Sequence, residues 1–438
     1  MTALEPDWRR LPGFRDVTQP AWESARWQRA NSVRTARQLK DAFGAYLTDE
    51  LCAEIDADQR EAAVMPMLVP PQMLNTMDEA DLAADPVRRY MLPARCERER
   101  SRPTHPCGGR DSLRESEMWA VEGLVHRYPG KALVEMLATC PQYCGHCTRM
   151  DLVGGDTTSV AKYRFRTVRR NRYEHMLEYL RSTESVTDVV VSGGDVANVP
   201  MALLEDFVSK VLAIPHIREV RLASKSLVAL PQHFLAADVL AGLERLAKAA
   251  RAHDVELAVH THANHASQVT PLVARAAAAL RDLGIHDLRN QAVLLQGVNA
   301  DTDSLLALSA ALRDEARITP YYVYMCDMVT SAEHWRTPLW HAQELQHSIM
   351  GRLPGFATPR IVCDVPGLGK LPVHQVDEYD RERGISWWRK SWLTPIERDE
   401  PGAAERRYEY YDPIHSLPAS GQAWWDAQES PVATAVSA

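Results

Sequence analysis

From residue 131 the chain repeats one theme, a short β-branched run followed by an amphipathic stretch long enough to cross back over a sheet. The runs fall at 132–137, 188–191, 219–223, 256–259, 290–295 and 319–324, and the stretches between them, such as 203–214 and 239–252, carry apolar residues at helical spacing. Parallel neighbours need crossovers of this length, and such crossovers are right-handed. Six consecutive units therefore predict an α/β chain whose parallel strands curl into a full or partial barrel of the TIM type, a (βα)6 core over 119–373. A seventh run at 360–363 is expected to flank it. Ahead of the core, Trp22, Trp27, Leu39, Phe43 and Leu47 fall at helical spacing, which predicts a helical N-terminal lobe within 1–118, its tryptophans in the core. Residues 96–118 are polar and broken by Pro and Gly, and read as a connecting loop. After residue 373 the pattern dissolves. Residues 374–438 read as an irregular C-terminal extension ending in a small-residue stretch expected to be disordered.

The 438 residues, 45% apolar and 25% charged, are ordinary for a globular chain, and a net charge of −8 argues against a nucleic-acid binder. Two basic clusters, Arg164-Phe165-Arg166 and Arg169-Arg170-Asn171-Arg172, stand out and read as solvated faces, with docking of an anionic partner as the alternative. The start carries no signal-peptide core, and no run approaches the roughly 18 apolar residues of a membrane span, so a cytoplasmic protein without a membrane partner is expected. Of the eight cysteines, Cys52, Cys96, Cys107, Cys326 and Cys363 show no disulfide-framework spacing.

The other three cysteines stand in Cys140-Pro-Gln-Tyr-Cys144-Gly-His-Cys147. Three thiolates on a four-iron cube leave one iron open, and that vacancy suits chelation and one-electron cleavage of S-adenosylmethionine. A zinc site would want a fourth ligand; His146 is available but directly adjoins Cys147. Other chemistry-bearing residues follow the predicted strands: Ser192-Gly193-Gly194-Asp195, Thr261-His262, Gln291, Asp327 and Asp364. Barrels of this type place their sites at the carboxyl ends of their strands. The Ser192–Asp195 turn lets backbone groups approach a charged ligand, which beside a radical cluster is the methionine end of S-adenosylmethionine. Lys370, behind Pro-Gly-Leu-Gly, is either a solvated loop lysine or the Schiff-base partner of an aldehyde cofactor such as pyridoxal 5′-phosphate. Asp327 and Asp364 either cap helices or meet a cation in the barrel mouth, and Arg149 either forks onto a carboxylate ligand or makes a structural ion pair.

Taken together with Trp22–Gln28, Asp85–Arg88, His126-Arg-Tyr-Pro129, Val191–Asp195, Thr261–His265, Asn290–Leu295, Pro320–Asp327 and Asp364–Lys370, the cysteine motif resembles the lysine 2,3-aminomutase family of radical S-adenosylmethionine enzymes. The resemblance implies a radical S-adenosylmethionine barrel in which Cys140, Cys144 and Cys147 ligate a [4Fe–4S] cluster. It implies that Lys370 carries pyridoxal phosphate, with Arg127, Lys131 and Gln291 around its phosphate and ring, and that Ser192, Gly193, Gly194, Asp195 and His262 serve the cofactors. Arg149 would hold the amino-acid carboxylate, and Asp327 with Asp364 the distal ammonium of lysine. An isomerase that moves the amino group of a cationic amino acid from C2 to C3 follows, lysine first and arginine as the close alternative. A radical enzyme without pyridoxal, acting on a peptide or carrier-bound residue, is the distant one. A homo-oligomer and an electron donor such as flavodoxin or ferredoxin are also implied. The chain departs from the family in a shorter glycine loop before Lys370, in a longer, basic 150–172, and in having no cysteine after Cys363.

Overall fold

The computed structural model describes residues 5–100, 102–394, 397–398 and 400–428. Ten strands form one sheet in chain order: β1 (Trp119–Val121), β2 (Leu124–Tyr128), β3 (Lys131–Leu137), β4 (Asp188–Gly193), β5 (Glu219–Ala223), β6 (Glu256–Thr261), β7 (Leu288–Leu294), β8 (Thr319–Met325), β9 (Arg360–Val365) and β10 (Gly369–Pro372). β3 through β9 are parallel, whereas β1, β2 and β10 pair antiparallel at the two edges. The seventh run is thus a full barrel strand, so six βα units end on a seventh parallel strand in a barrel that stays open. The helices that return the chain between successive strands are Arg169–Ser182, Met201–Leu212, Ala237–Ala252, Pro271–Asp282, Thr302–Ala310 and Leu339–Ile349.

Alternation along the strands sorts the two faces. In β7, Leu288, Asn290, Ala292 and Leu294 are buried, while Arg289, Gln291 and Val293 are only partly so, and Gln291 and Val293 line the barrel cavity. On the outer face Val189, Val191, Val220 and Val259 pack with Leu177, Phe207, Val208, Leu246 and Val273 of the helices, all at most 1% exposed. Each such side chain contributes about 1.5–3 kcal/mol by leaving water.

The N-terminal lobe is helical as the spacing predicts, with Ala36–Phe43 and Asp49–Glu61 its longest helices. Trp22 stacks on Trp8 at 5.0 Å and is 1% exposed. The C-terminal extension is more regular than its sequence suggests. β11 (Glu378–Asp380), β12 (Ile385–Trp388) and β13 (Tyr408–Tyr411) form an antiparallel sheet, followed by a helix at Ala419–Asp426. The strands are three or four residues long, too short for their alternation, Ser386 and Trp388 or Tyr408 and Tyr410 inward, to register as a pattern. The small-residue end, expected to be disordered, lies outside the described residues. Among the described residues no helix is long and apolar enough to cross a membrane.

Candidate active site

A cavity of about 330 Å³ lies within the barrel and reaches the loops at the carboxyl ends of its strands, and every site residue singled out from the sequence lines it. The loop after β3 brings Cys140, Cys144 and Cys147 to one side. Packed against it, His146 and His262 place ring nitrogens within 4.8 Å of each other and of the Cys144 sulfur. His262 Nδ1 lies 2.6 Å from the Gln291 carbonyl, so it is the protonated nitrogen, and Nε2 is left as a buried lone pair without a partner. Burial, with Lys225 adding to it, pushes His262 down to about 3, which keeps the ring neutral.

The turn after β4 sits against the cysteine loop. Gly193 has φ +107°, and a Cβ on Gly194 would lie 2.2 Å from the Thr139 carbonyl oxygen, so only glycine permits this approach. Asp195 is no free ligand. Its carboxylate accepts from the hydroxyls of Ser224 and Ser226 and the amides of Ala197 and Ser226, at 2.7–3.1 Å. Those bonds fix the loop after β5, which delivers Lys225 Nζ to 2.8 Å from Cys144 Sγ. Lys225 was not singled out from the sequence, although a cation in Ser-Lys-Ser directly after a barrel strand was the available signal.

Deeper in the barrel lies a cationic floor. Lys131 Nζ rests 4.1 Å from the Tyr128 ring centre, and Arg221, a second residue the sequence reading missed, forks onto Asp188 at 2.9 and 2.5 Å. Gln291 ties His260 to Tyr324, donating to His260 Nδ1 at 3.0 Å and accepting from the Tyr324 hydroxyl at 3.0 Å.

Lys370 enters from the far edge. The turn at Pro366–Leu368 folds β10 back on β9 so that Lys370 pairs directly across from Asp364. Its amide donates to the Tyr128 hydroxyl at 2.8 Å, and a Cβ on Gly369 would lie 2.6 Å from that oxygen. Burial lowers the Lys370 pKa, with Asp364 opposing, which favours the neutral, nucleophilic amine.

The carboxylates of the mouth are not equivalent. Asp364 accepts from Arg127 Nη2 at 2.6 Å. Asp327 accepts from the Thr148 hydroxyl on Oδ2 at 2.5 Å, while its Oδ1 is buried with no partner. Burial first and Asp364 second push Asp327 up to about 7. Arg149 is held from one side: Glu115 lies 2.8 Å from Nε and 3.0 Å from Nη2, and Glu135 3.3 Å from Nε. Both acids were missed. Glu115 sits in the segment read as a plain loop, and Glu135 is a buried acid within a strand, 2% exposed and pushed up to about 7 by that burial.

The basic clusters divide. Arg172 is buried, donates to the Glu135 and Met136 carbonyls at 2.5 and 2.9 Å and stacks on Phe165, so for it the solvated-face reading is wrong. Arg164, Arg166, Arg169 and Arg170 are exposed.

Arg127 Nη1, His260 Nε2, His262 Nε2 and Asp327 Oδ1 are all buried without protein partners. Each costs about 1–3 kcal/mol if left so. A cavity with donors at its floor, an orphan carboxylate oxygen, three thiols and a half-buried lysine in its lining fits an iron–sulfur cluster and an anionic aldehyde cofactor together.

Fold and site define an α/β barrel enzyme whose cavity gathers three cysteines and a lysine amine. No family model matches the chain. It is 34% identical over 83% of its length to an L-lysine 2,3-aminomutase of Clostridium subterminale, covering 81% of that protein, and 32% identical over 82% to one of Acetoanaerobium sticklandii, covering 80%. It is also 26% identical over 81% of its length to a glutamate 2,3-aminomutase of Clostridioides difficile, covering 78% of it. The chain belongs to the lysine 2,3-aminomutase family. It is an isomerase of the radical S-adenosylmethionine type that works with a [4Fe–4S] cluster and pyridoxal 5′-phosphate.

Proposed function

We infer that this enzyme moves the amino group of L-lysine from C2 to C3. The observation that carries the substrate reading is Asp327, a carboxylate whose one unpartnered oxygen is buried, in the cavity that also holds Lys370 and the cysteine loop. One free oxygen accepts a single ammonium donor, whereas a guanidinium fork wants two, which favours lysine over arginine. A glutamate side chain would set its carboxylate against Asp327 and is disfavoured by like charge.

When bound, the cofactors supply the one-electron cleavage of S-adenosylmethionine and a conjugated system that accommodates the unpaired electron during nitrogen migration. The protein's part is to hold and orient. Cys140, Cys144 and Cys147 ligate the cluster; Ser192, Gly193, Gly194 and Lys225 receive the methionyl end, and His262 offers Nε2 beside it. Lys370 holds pyridoxal phosphate, with Arg127, Lys131, Arg221 and Gln291 about its phosphate and ring. Arg149 gives the substrate carboxylate its Nη1 edge, because Glu115 and Glu135 occupy the Nε side. Asp327 takes the distal ammonium, and Asp364, shared with Arg127, backs it. A low-potential carrier of the flavodoxin or ferredoxin type supplies the electron, and the chain assembles as a homo-oligomer.

The test is anaerobic incubation of the reconstituted enzyme with L-lysine, L-arginine and L-glutamate, followed by chromatography at unchanged mass. The expected result is a 3-amino isomer from lysine, little from arginine and none from glutamate. Cofactor-loaded enzyme that isomerises none of them overturns the reading.

A further inference from the structure

The cluster must receive its electron from outside, and the loop that binds it reaches the surface at Thr139, which is exposed, and Tyr143, which is half-buried. Arginines surround those two residues. On one side the Tyr143 amide donates to the Leu68 carbonyl at 3.2 Å, and the neighbouring Val69 pairs with Val33, so the chain presents Arg34 beside Tyr143. On the other side Gly154 packs on the Tyr143 ring, and Arg164 donates to the Gly154 carbonyl at 3.2 Å. Below, Asn198 bridges Thr139 at 3.2 Å and Arg29 at 2.5 Å. Arg34 is exposed and has no ion-pair partner among the described residues. Glu23 and Asp238 share the groove of Arg29 and Asn198, while beside Tyr143 the acid Asp156 pairs with Arg164 at 2.9 Å with both side chains more than half exposed, an arrangement worth at most about 1 kcal/mol and easily exchanged for another carboxylate. On a chain of net charge −8 this basic face is the anomaly.

We propose that the face formed by Arg29, Arg34 and Arg164 around Thr139 and Tyr143 docks an acidic one-electron carrier protein, which passes its electron to the cluster through the exposed edge of the cysteine loop. The inference rests on the proposed radical chemistry. The carrier is oxidised by one electron and the cluster reduced by one, and no bond or proton changes hands at the face. Opposite charge steers such an encounter and raises its rate by about 10–10³-fold at low salt. It also places the carrier within one residue of two cluster ligands, Cys140 and Cys144.

The test compares Arg34→Glu/Arg164→Glu with wild type, using reduced flavodoxin and, separately, dithionite to support turnover of lysine. Expected for the double variant is a rise of at least tenfold in the flavodoxin concentration giving half-maximal rate, with dithionite-supported turnover within twofold of wild type. Added salt should slow the wild-type reaction with flavodoxin and leave the dithionite reaction unchanged. Arg245→Glu, on an exposed ion pair elsewhere, should behave as wild type. Equal flavodoxin dependence in double variant and wild type overturns the proposal, and so does equal loss with both reductants, which would make the two arginines part of the loop's fold. A wild type inert with both reductants overturns the radical reading, and this one with it.

Discussion

At the scale of single residues the site is a problem in charge bookkeeping, and Asp327 decides it. Arg127 is met by Asp364, Arg149 by Glu115 and Glu135, Arg221 by Asp188; Asp327 faces the cavity with Thr148 alone. Asp327→Asn should raise KM for lysine about 10–100-fold, the worth of one charged hydrogen bond, with a smaller change in kcat. Because burial pushes Asp327 up to about 7, its ionised form, which we propose attracts the ammonium, is lost as pH falls through that value. Asp364 and Glu115 push in that direction, and Arg127 with the Thr148 hydroxyl pulls the other way. KM for lysine should therefore rise about tenfold between pH 8 and pH 6 in wild type and change clearly less in Asp327→Asn, where Glu135, pushed up to about 7 by burial, still titrates beside Arg149. The candidate carboxylates were legible in the sequence because each ends a β-type run. Which of them lacks a partner was not, because that depends on Arg127 and Thr148 arriving from strands and loops up to 237 residues away.

At the scale of elements, two turns do the positioning. The β9–β10 turn sets Lys370 across from Asp364, and the β4 turn lets two glycines lie against the cysteine loop. Gly194→Ala would put a methyl group against three backbone atoms of Thr139 at 2.2–2.7 Å, none of which can swing aside. The expected outcome is loss of S-adenosylmethionine binding by calorimetry, with the far-UV spectrum retained; an alanine variant that binds as wild type would show that the loops move freely. The βα rhythm was readable because each strand is buried enough on one face to need β-branched residues. The C-terminal strands escaped notice because three residues hold too little alternation, and Glu115 escaped because a polar loop looks the same whether its acids face water or a buried guanidinium.

At the scale of the molecule, we propose that 1–118 and 374–438 act as lobes of the 119–373 core. One hydrophobic core runs from Leu11 through the barrel to Tyr410. Polar ties reinforce it: Arg98 of the N-terminal lobe meets Asp58 at 2.9 Å and reaches the Ser331 carbonyl beyond β8, and Tyr410 of the extension donates to the Cys326 carbonyl at 3.1 Å. Asp58 and Arg98 are 0% and 3% exposed in their side chains, so Asp58→Ala strands a buried guanidinium and should cost about 3–5 kcal/mol in denaturant unfolding. Asp58→Leu/Arg98→Met should recover most of that loss, since it removes both charges. Equal stability of all three proteins would mean that the lobe and the barrel are not coupled through this pair.

One cavity houses the thiolate trio and the lysine that we propose carries pyridoxal phosphate. Borohydride trapping of the reconstituted enzyme followed by peptide mass mapping tests it most directly. The expected result is one pyridoxyl label per chain, on Lys370, and none in Lys370→Ala; a label on another lysine, or none in wild type with the cluster intact, would overturn the assignment of Lys370.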